Sequence, residues 1–98
     1  MPTAAVDVRI ITLPPLVGTR SRAVKLINDL PDNLDRVVVD CRDLMACTGS
    51  FVDELMYQIL TVYKAKELRI IRLSDPDFRM FLDRQAAAHG LAERVIYG

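Results

Sequence analysis

The sequence predicts a small α/β domain in which a mostly parallel or mixed sheet of about four strands packs against three helices. Two observations lead to this prediction. Short β-branched runs, of which Val37, Val38 and Val39 are the clearest, alternate along the chain with longer amphipathic stretches, the clearest of which begins at Phe51. Strands that alternate with helices favour right-handed crossovers between parallel neighbours.

The first strand and the loop after it occupy the N-terminal part of the chain. Val6, Val8 and Ile10 alternate with polar residues, as in a half-buried strand with its apolar side inward, and the strand extends to Thr12. Consecutive prolines disfavour both a continuing ladder and a helix, so residues 14–18 are predicted to form a loop.

A helix and a central strand follow this loop. Apolar residues recur at helical spacing over residues 20–30, behind Thr19 or Ser21 as the N-cap and before Pro31. Residues 36–41 are too few and too β-branched for a helix. They are predicted to form a strand in the middle of the sheet, covered on both faces.

The second helix begins at Phe51, and polar residues lie outside its apolar stripe. A third strand is predicted over residues 68–73, and Ser74-Asp75-Pro76 then begins a third helix that ends near Gly90. Residues 95–97 are predicted to add a short last strand. The stripe of the second helix consists of Phe51, Val52, Leu55, Met56, Ile59, Leu60 and Tyr63.

Composition limits the class of protein. The 98 residues, of which 51% are hydrophobic, suit one domain over residues 1–98. Thirteen basic residues balance thirteen acidic ones, so binding to nucleic acid or to an anionic membrane is not expected. No apolar stretch approaches the roughly 20 residues that cross a bilayer, and the N-terminus lacks the order of a signal peptide. We therefore expect a soluble, cytoplasmic protein.

The two cysteines and the single histidine do not form a recognised motif. Cys41 and Cys47 are too few for a disulfide framework and are predicted to be buried thiols in a reducing compartment. Together with His89 they offer too few ligands for structural zinc, so no metal site and no cofactor is predicted. A Cys–His nucleophile pair is a minor alternative. His89 is expected at the surface, near the end of the third helix.

Two segments precede the first two predicted helices. The first is Gly18-Thr19-Arg20-Ser21-Arg22-Ala23. In the second, a strand ends in Asp40, Asp43-Leu44 follows, and Thr48-Gly49-Ser50-Phe51-Val52-Asp53-Glu54-Leu55 opens a helix. In order and spacing these segments resemble the STAS superfamily, named for sulfate transporters and anti-sigma factor antagonists, and especially its shorter STAS-like branch.

The resemblance implies a small α/β domain that binds a regulatory protein, often an ATP-dependent kinase that is also an anti-sigma factor. In the anti-sigma factor antagonists, a serine in the turn before the second helix is phosphorylated to end binding. In this chain Gly49, which has no hydroxyl, occupies that position. Thr48 and Ser50 flank it and are the candidate phosphoacceptors.

The turn before the second helix also has a purely local interpretation. Ser50 is predicted to be an N-cap that accepts a hydrogen bond from the amide of Asp53. Asp53 and Glu54 would then lie in the first turn, where the helix dipole favours negative charge. Met45, beside this turn, is predicted either to fill the core or to soften an interaction surface.

Arg20 and Arg22 stand at the start of the first helix, where a cation opposes the helix dipole. We expect them to form ion pairs with Asp53, Glu54 or another surface acid. The alternative is an anion or nucleotide site formed by the segment from Gly18 to Arg22. That segment lacks the spacing of a phosphate loop.

These observations favour a noncatalytic interaction domain that docks a regulatory protein, such as a kinase or an anti-sigma factor. The rival hypothesis is a phosphate- or nucleotide-binding α/β domain that uses the segment 18–22. The sequence does not decide the oligomeric state. The predicted partner-binding residues are Arg20, Arg22, Thr48, Ser50, Asp53 and Glu54.

Overall fold

The structure is a computed structural model, and it describes residues 7–98. It has the predicted α/β class, with three helices on a four-stranded parallel sheet, and it adds a two-stranded parallel sheet. The strands and helices are β1 (Val8–Thr12), β2 (Leu16–Val17), α1 (Arg20–Leu26), β3 (Arg36–Asp40), β4 (Ala46–Cys47), α2 (Gly49–Tyr57), β5 (Leu68–Ile71), α3 (Pro76–Ala88) and β6 (Val95–Tyr97).

The order of the large sheet is β1-β3-β5-β6, and β2 pairs with β4. Each connection between neighbouring strands of the large sheet contains one helix and moves the chain in the same direction across the sheet. Because such crossovers are right-handed, all three helices lie on one face of the sheet. Helix α2 contacts both α1 and α3. The core between the helices and the sheet includes Ile11, Val37, Val39, Leu68, Ile70, Ala23, Phe51, Leu55, Phe78 and Leu82.

Strand β1 is buried on the side opposite to the predicted one. Ile11 is 9% exposed, whereas Ile10 is 68% exposed and Val8 is 36% exposed. An alternating pattern shows only that successive side chains point to opposite faces of the sheet. Which face is buried depends on where the helices pack, and here they pack on the Ile11 side. The strand itself is confirmed over residues 8–12, and Val6 lies outside the described residues.

Strand β3 has the predicted central position, between β1 and β5. Val37 and Val39 face the helices and belong to the core. Val38 faces the other way and lies beside Ile10 and Arg69 in the neighbouring strands. Although no helix of residues 7–98 lies on that face, Val38 is only 9% exposed and the strand is buried from Val37 to Asp40, so the prediction that both of its faces are covered is confirmed.

Helix α1 is shorter than predicted, because the backbone leaves the helical region at Ile27, where φ is −122°. The predicted loop over residues 14–18 contains β2, since Leu16 pairs with Ala46 and Val17 with Cys47. A parallel partner about 30 residues away leaves no local signal in the sequence.

Helices α2 and α3 largely follow the prediction. Helix α2 buries its apolar stripe and continues as a π-helical turn, Gln58–Val62. We call α2 together with this turn the α2 stretch. Helix α3 starts with Asp75 as the N-cap and Pro76 at the first helical position, and Gly90 follows its C-terminus at a φ of +69°. Strand β5 ends at Ile71, before the predicted boundary, because Arg72 adopts a φ of +55°. Over residues 7–98, the structure contains no helix with the length and apolar character to cross a membrane.

Candidate functional site

The two segments that precede α1 and α2 lie side by side. Thr19 caps α1 by accepting a hydrogen bond from the Arg22 amide, over 3.1 Å. Thr48 caps α2 in the same way, by accepting from the Phe51 amide over 3.2 Å. The Thr48 hydroxyl also donates to the carbonyl oxygen of Gly18, 2.9 Å away. The starts of the two helices are thereby joined directly.

Ser50 is not the N-cap of α2, so that prediction is wrong. Because Thr48 is the cap, Ser50 is the second residue of the helix, and its side chain is exposed. The first turn contains no acidic residue, since Asp53 and Glu54 lie farther along α2. Serine and threonine are both good N-caps, but Thr48 can bond to Gly18 as well as to its own helix.

Arg20 forms the predicted ion pairs. Its Nη1 lies 2.9 Å from Asp53 Oδ2 and 3.5 Å from Glu54 Oε1, and the hydrogen bond to Asp53 raises the pKa of Arg20. Glu54 also accepts a hydrogen bond from Gln58 over 2.7 Å. His89 is exposed, as predicted, and its Nε2 lies 3.9 Å from Asp53 Oδ1. No pattern in the sequence indicates that α3 ends beside Asp53.

The formal charges in this region cancel. Arg20 and Arg22 contribute two positive charges, and Asp53 and Glu54 contribute two negative ones. Arg22 is exposed and forms no ion pair with any residue from 7 to 98, so the predicted pairing is wrong for this residue. Helix α1 has only seven residues, and Arg20 is already paired. The segment 18–22 therefore offers a phosphate little net attraction.

Two exposed apolar side chains adjoin this polar region. Met45 is 76% exposed and Leu16 is 70% exposed, the highest values for large hydrophobic residues in the described part of the chain. The Met45 amide donates to the Pro15 carbonyl over 2.8 Å, which holds Met45 close to β2. A shallow depression of about 200 Å³ connects these strands to the helix starts. It is lined by Leu16, Val17, Gly18, Ala46, Cys47 and Thr48.

Of these two residues, the sequence pointed only to Met45, as a residue that could soften an interaction surface. Leu16 was missed because it falls within a segment predicted to be a loop. An isolated Leu-Val pair directly after two prolines is the one signal that could have suggested an exposed apolar position.

Gly49 occupies the position at which the resemblance implies a phosphorylated serine. A Cβ atom built there would lie 3.5 Å from the ring of Phe81, an ordinary van der Waals contact. Gly49 does not have a positive φ. Neither space nor backbone conformation therefore requires glycine at this position.

Both thiols are free and neither is activated. Cys41 is buried, and the Sγ of the half-buried Cys47 donates to Asp75 Oδ2 over 3.6 Å. Burial raises the pKa of both cysteines to about 12. The thiols therefore stay protonated near neutral pH and lack the thiolate character that a nucleophile needs.

No family model, curated protein or solved structure matches this chain. In the part that the structure describes, no three histidine, cysteine or carboxylate side chains are grouped to hold a metal ion. The candidate functional site is therefore the surface formed by the helix starts and the β2–β4 pair.

Proposed function

We propose that this chain is a noncatalytic STAS-like interaction domain that docks a regulatory protein. Its docking surface consists of Leu16, Met45, Arg20, Asp53 and Glu54. The observation that carries the proposal is the position of two exposed apolar side chains beside a paired cluster of charges. Protein interfaces combine an apolar centre with a polar rim in this way.

The two kinds of residue have different roles in docking. Leu16 and Met45 are the anchors, because burying large apolar side chains supplies most of the favourable free energy of an interface. Methionine is unbranched and adapts to the shape of a partner pocket. The charged cluster fixes orientation and partner choice, since rim charges act mainly on association rate and specificity.

The partner class follows from the resemblance of the segment 48–55 to STAS-like sequences. An ATP-binding kinase or an anti-sigma factor is the proposed partner, and reversible docking would sequester or release it. The rival, a phosphate or nucleotide site at residues 18–22, receives less support, because Arg20 is paired with Asp53 and Glu54.

Ser50 is the favoured phosphoacceptor. The Thr48 hydroxyl already accepts from one amide and donates to one carbonyl, so its modification would break both contacts. Ser50 is exposed at the second position of α2, where the helix dipole favours a phosphate. Arg20 offsets the negative charge of Asp53 and Glu54, which lowers the repulsion that such a phosphate meets.

The test is affinity capture with the full chain as bait, followed by titration of the purified retained protein. Three baits are compared: wild type, Met45→Asp and the matched control Val62→Asp. Val62 is exposed, but it lies at the far end of the α2 stretch, about 20 Å from Thr48 along the helix. Retention of an ATP-binding regulatory protein by wild type and Val62→Asp, but not by Met45→Asp, supports the proposal.

Two results would contradict it. In the first, Met45→Asp binds the purified partner as tightly as wild type does. In the second, no protein is retained specifically and a nucleotide titration detects binding at millimolar ligand that is lost in Arg22→Ala. The second result would favour the phosphate-binding rival.

A further inference from the structure

Met45 differs from the other methionines of the described chain in its exposure. Of the three methionines in residues 7–98, Met45 is 76% exposed, Met80 is 45% exposed and Met56 is 1% exposed. The backbone at Met45 is held in place, because its amide donates to the Pro15 carbonyl over 2.8 Å. Its thioether is therefore open to dissolved reagents at a fixed position, beside the helix starts.

The two thiols, which a peroxide ordinarily oxidises first, are shielded. Cys41 is buried, and the Sγ of the half-buried Cys47 donates to Asp75 Oδ2 over 3.6 Å. Burial raises the pKa of both thiols to about 12, so neither is a thiolate near neutral pH, and the thiolate is the form that a peroxide oxidises. A thioether reacts without losing a proton. Among residues 7–98, Met45 is therefore the sulfur most open to a peroxide.

We propose that Met45 is a site of reversible oxidation, and that its oxidation releases the docked partner. The oxidant is hydrogen peroxide, and the product is methionine sulfoxide. This inference rests on the proposed function, because the side chain that is oxidised is one of the two apolar anchors of the docking surface.

The oxidation transfers one oxygen atom to the thioether. A lone pair of the Met45 sulfur attacks one peroxide oxygen, so that a sulfur–oxygen bond forms and the oxygen–oxygen bond breaks. The other oxygen leaves as hydroxide and takes up the proton released from the first, which gives water. The sulfur is oxidised by two electrons and the peroxide is reduced by two. A methionine sulfoxide reductase reverses the change, as two thiols become a disulfide and the oxygen leaves as water.

Oxidation at Met45 changes docking without changing the fold. The sulfoxide is polar, and an exposed side chain keeps it in contact with water. In the complex the same oxygen would be buried against apolar groups, where an unpaired polar atom is unfavourable. Oxidation at Met56 would disrupt the core, and Met80 is not part of the docking surface. Only Met45 combines access for a peroxide with an effect confined to docking.

The first measurement is mass-spectrometric peptide mapping of the full chain after treatment with hydrogen peroxide at pH 7. We expect the sulfoxide to form fastest at Met45, more slowly at Met80, and not at Met56 while the chain is folded. The urea denaturation midpoint should be unchanged when only Met45 is oxidised. Oxidation of Cys41, Cys47 or Met80 ahead of Met45 overturns the proposal.

The second measurement is the affinity of the purified partner for the oxidised chain. Oxidation should weaken binding about tenfold or more, and a methionine sulfoxide reductase with dithiothreitol should restore it. Met45→Leu keeps an apolar side chain of similar volume, so it should bind like wild type and continue to bind after peroxide treatment. Met80→Leu is the matched control, and it should lose affinity on oxidation as wild type does.

The outcomes separate this proposal from the docking proposal. If Met45→Asp abolishes binding but the Met45 sulfoxide binds as tightly as the thioether, docking at this surface stands and the oxidation switch is wrong. If Met45→Asp binds as tightly as wild type, the docking surface itself is wrong and the switch fails with it. An equal loss of affinity after peroxide in Met45→Leu and in wild type assigns the effect to another residue and overturns the proposal.

Discussion

The Thr48 hydroxyl donates a hydrogen bond to the carbonyl oxygen of Gly18, over 2.9 Å. These two residues are 30 positions apart in the sequence. Thr48 is the N-cap of α2, and Gly18 directly precedes Thr19, the N-cap of α1. Because the same hydroxyl accepts from the Phe51 amide, one side chain fixes the start of α2 and its distance from α1. The position of Arg20 opposite Asp53 depends on this arrangement.

Replacing Thr48 with valine should destabilise the fold by about 1–2 kcal/mol, because it removes an N-cap and leaves the Gly18 carbonyl without this donor. Thr48→Ser keeps the hydroxyl and should cost much less. Urea denaturation measures both free energies of unfolding. Thr61→Val, at an exposed position late in the α2 stretch, is the matched control. Equal stabilities of the Thr48→Val and Thr48→Ser proteins would show that the shared hydroxyl contributes nothing.

Glu54→Lys should weaken the proposed partner complex about fivefold or more and slow its association. The new lysine would face Arg20, which now lies 3.5 Å from Glu54 Oε1, and would reverse the charge of the docking surface. Surface plasmon resonance with the captured partner gives both rates. Glu93→Lys reverses a charge at another exposed position and should leave binding unchanged. If both variants bind alike, the acidic cluster has no part in docking.

The elements of the fold could be predicted from the sequence better than their surroundings. Apolar spacing identified α2, and Asp75-Pro76 marked the start of α3, because these signals are local. The inward side of β1 depends on where all the helices lie, which no local pattern contains. The choice of Thr48 over Ser50 depends on Gly18, a contact 30 residues away. The pairing of Arg20 with Asp53 and Glu54 could be predicted, because an exposed arginine pairs with an acidic residue and such residues are few.

Ile11→Ala should cost about 2–4 kcal/mol, whereas Ile10→Ala should cost well under 1 kcal/mol. The two residues are adjacent and chemically identical, but Ile11 is in the core, whereas Ile10 is exposed on the face of the sheet opposite the helices. Thermal or urea unfolding of the two variants makes the comparison. A cost for Ile10→Ala as large as that for Ile11→Ala would mean that the Ile10 side chain is buried in solution.

The cysteines should make the free energy of unfolding fall as pH rises above about 9. Burial raises the pKa of both thiols from 9.0 to about 12, so the unfolded chain loses these protons first and is favoured between those values. Below pH 9 both states keep the protons, and no effect of the thiols is expected. Chemical denaturation across this range should show a smaller slope in a Cys41→Ala, Cys47→Ala double variant. Rapid alkylation of either native thiol at pH 8 would contradict the raised pKa values.

Lys64→Gly should stabilise the protein by about 0.5–1 kcal/mol. Lys64 ends the α2 stretch with a φ of +60°, a conformation that glycine adopts without the steric cost of a Cβ. Lys25→Gly is the control, because Lys25 is an exposed lysine inside α1 and its replacement should destabilise the helix by about 1 kcal/mol. The two free energies of unfolding should therefore change in opposite directions. A loss of stability in Lys64→Gly would show that Lys64 makes a compensating contact.

The order β1-β3-β5-β6 has a consequence for how the chain folds. Val8 pairs with Arg36, Val37 with Leu68 and Leu68 with Val95, so each pair of strands joins residues about 30 positions apart, and the sheet contains no hairpin. A strand cannot find its neighbour until the intervening helix has closed the loop between them. Folding should therefore be slower than in hairpin-rich or helical domains of this length. The two inner strands, β3 and β5, are connected through α2, and α2 also contacts both other helices. Folding should therefore begin where β3, α2 and β5 meet.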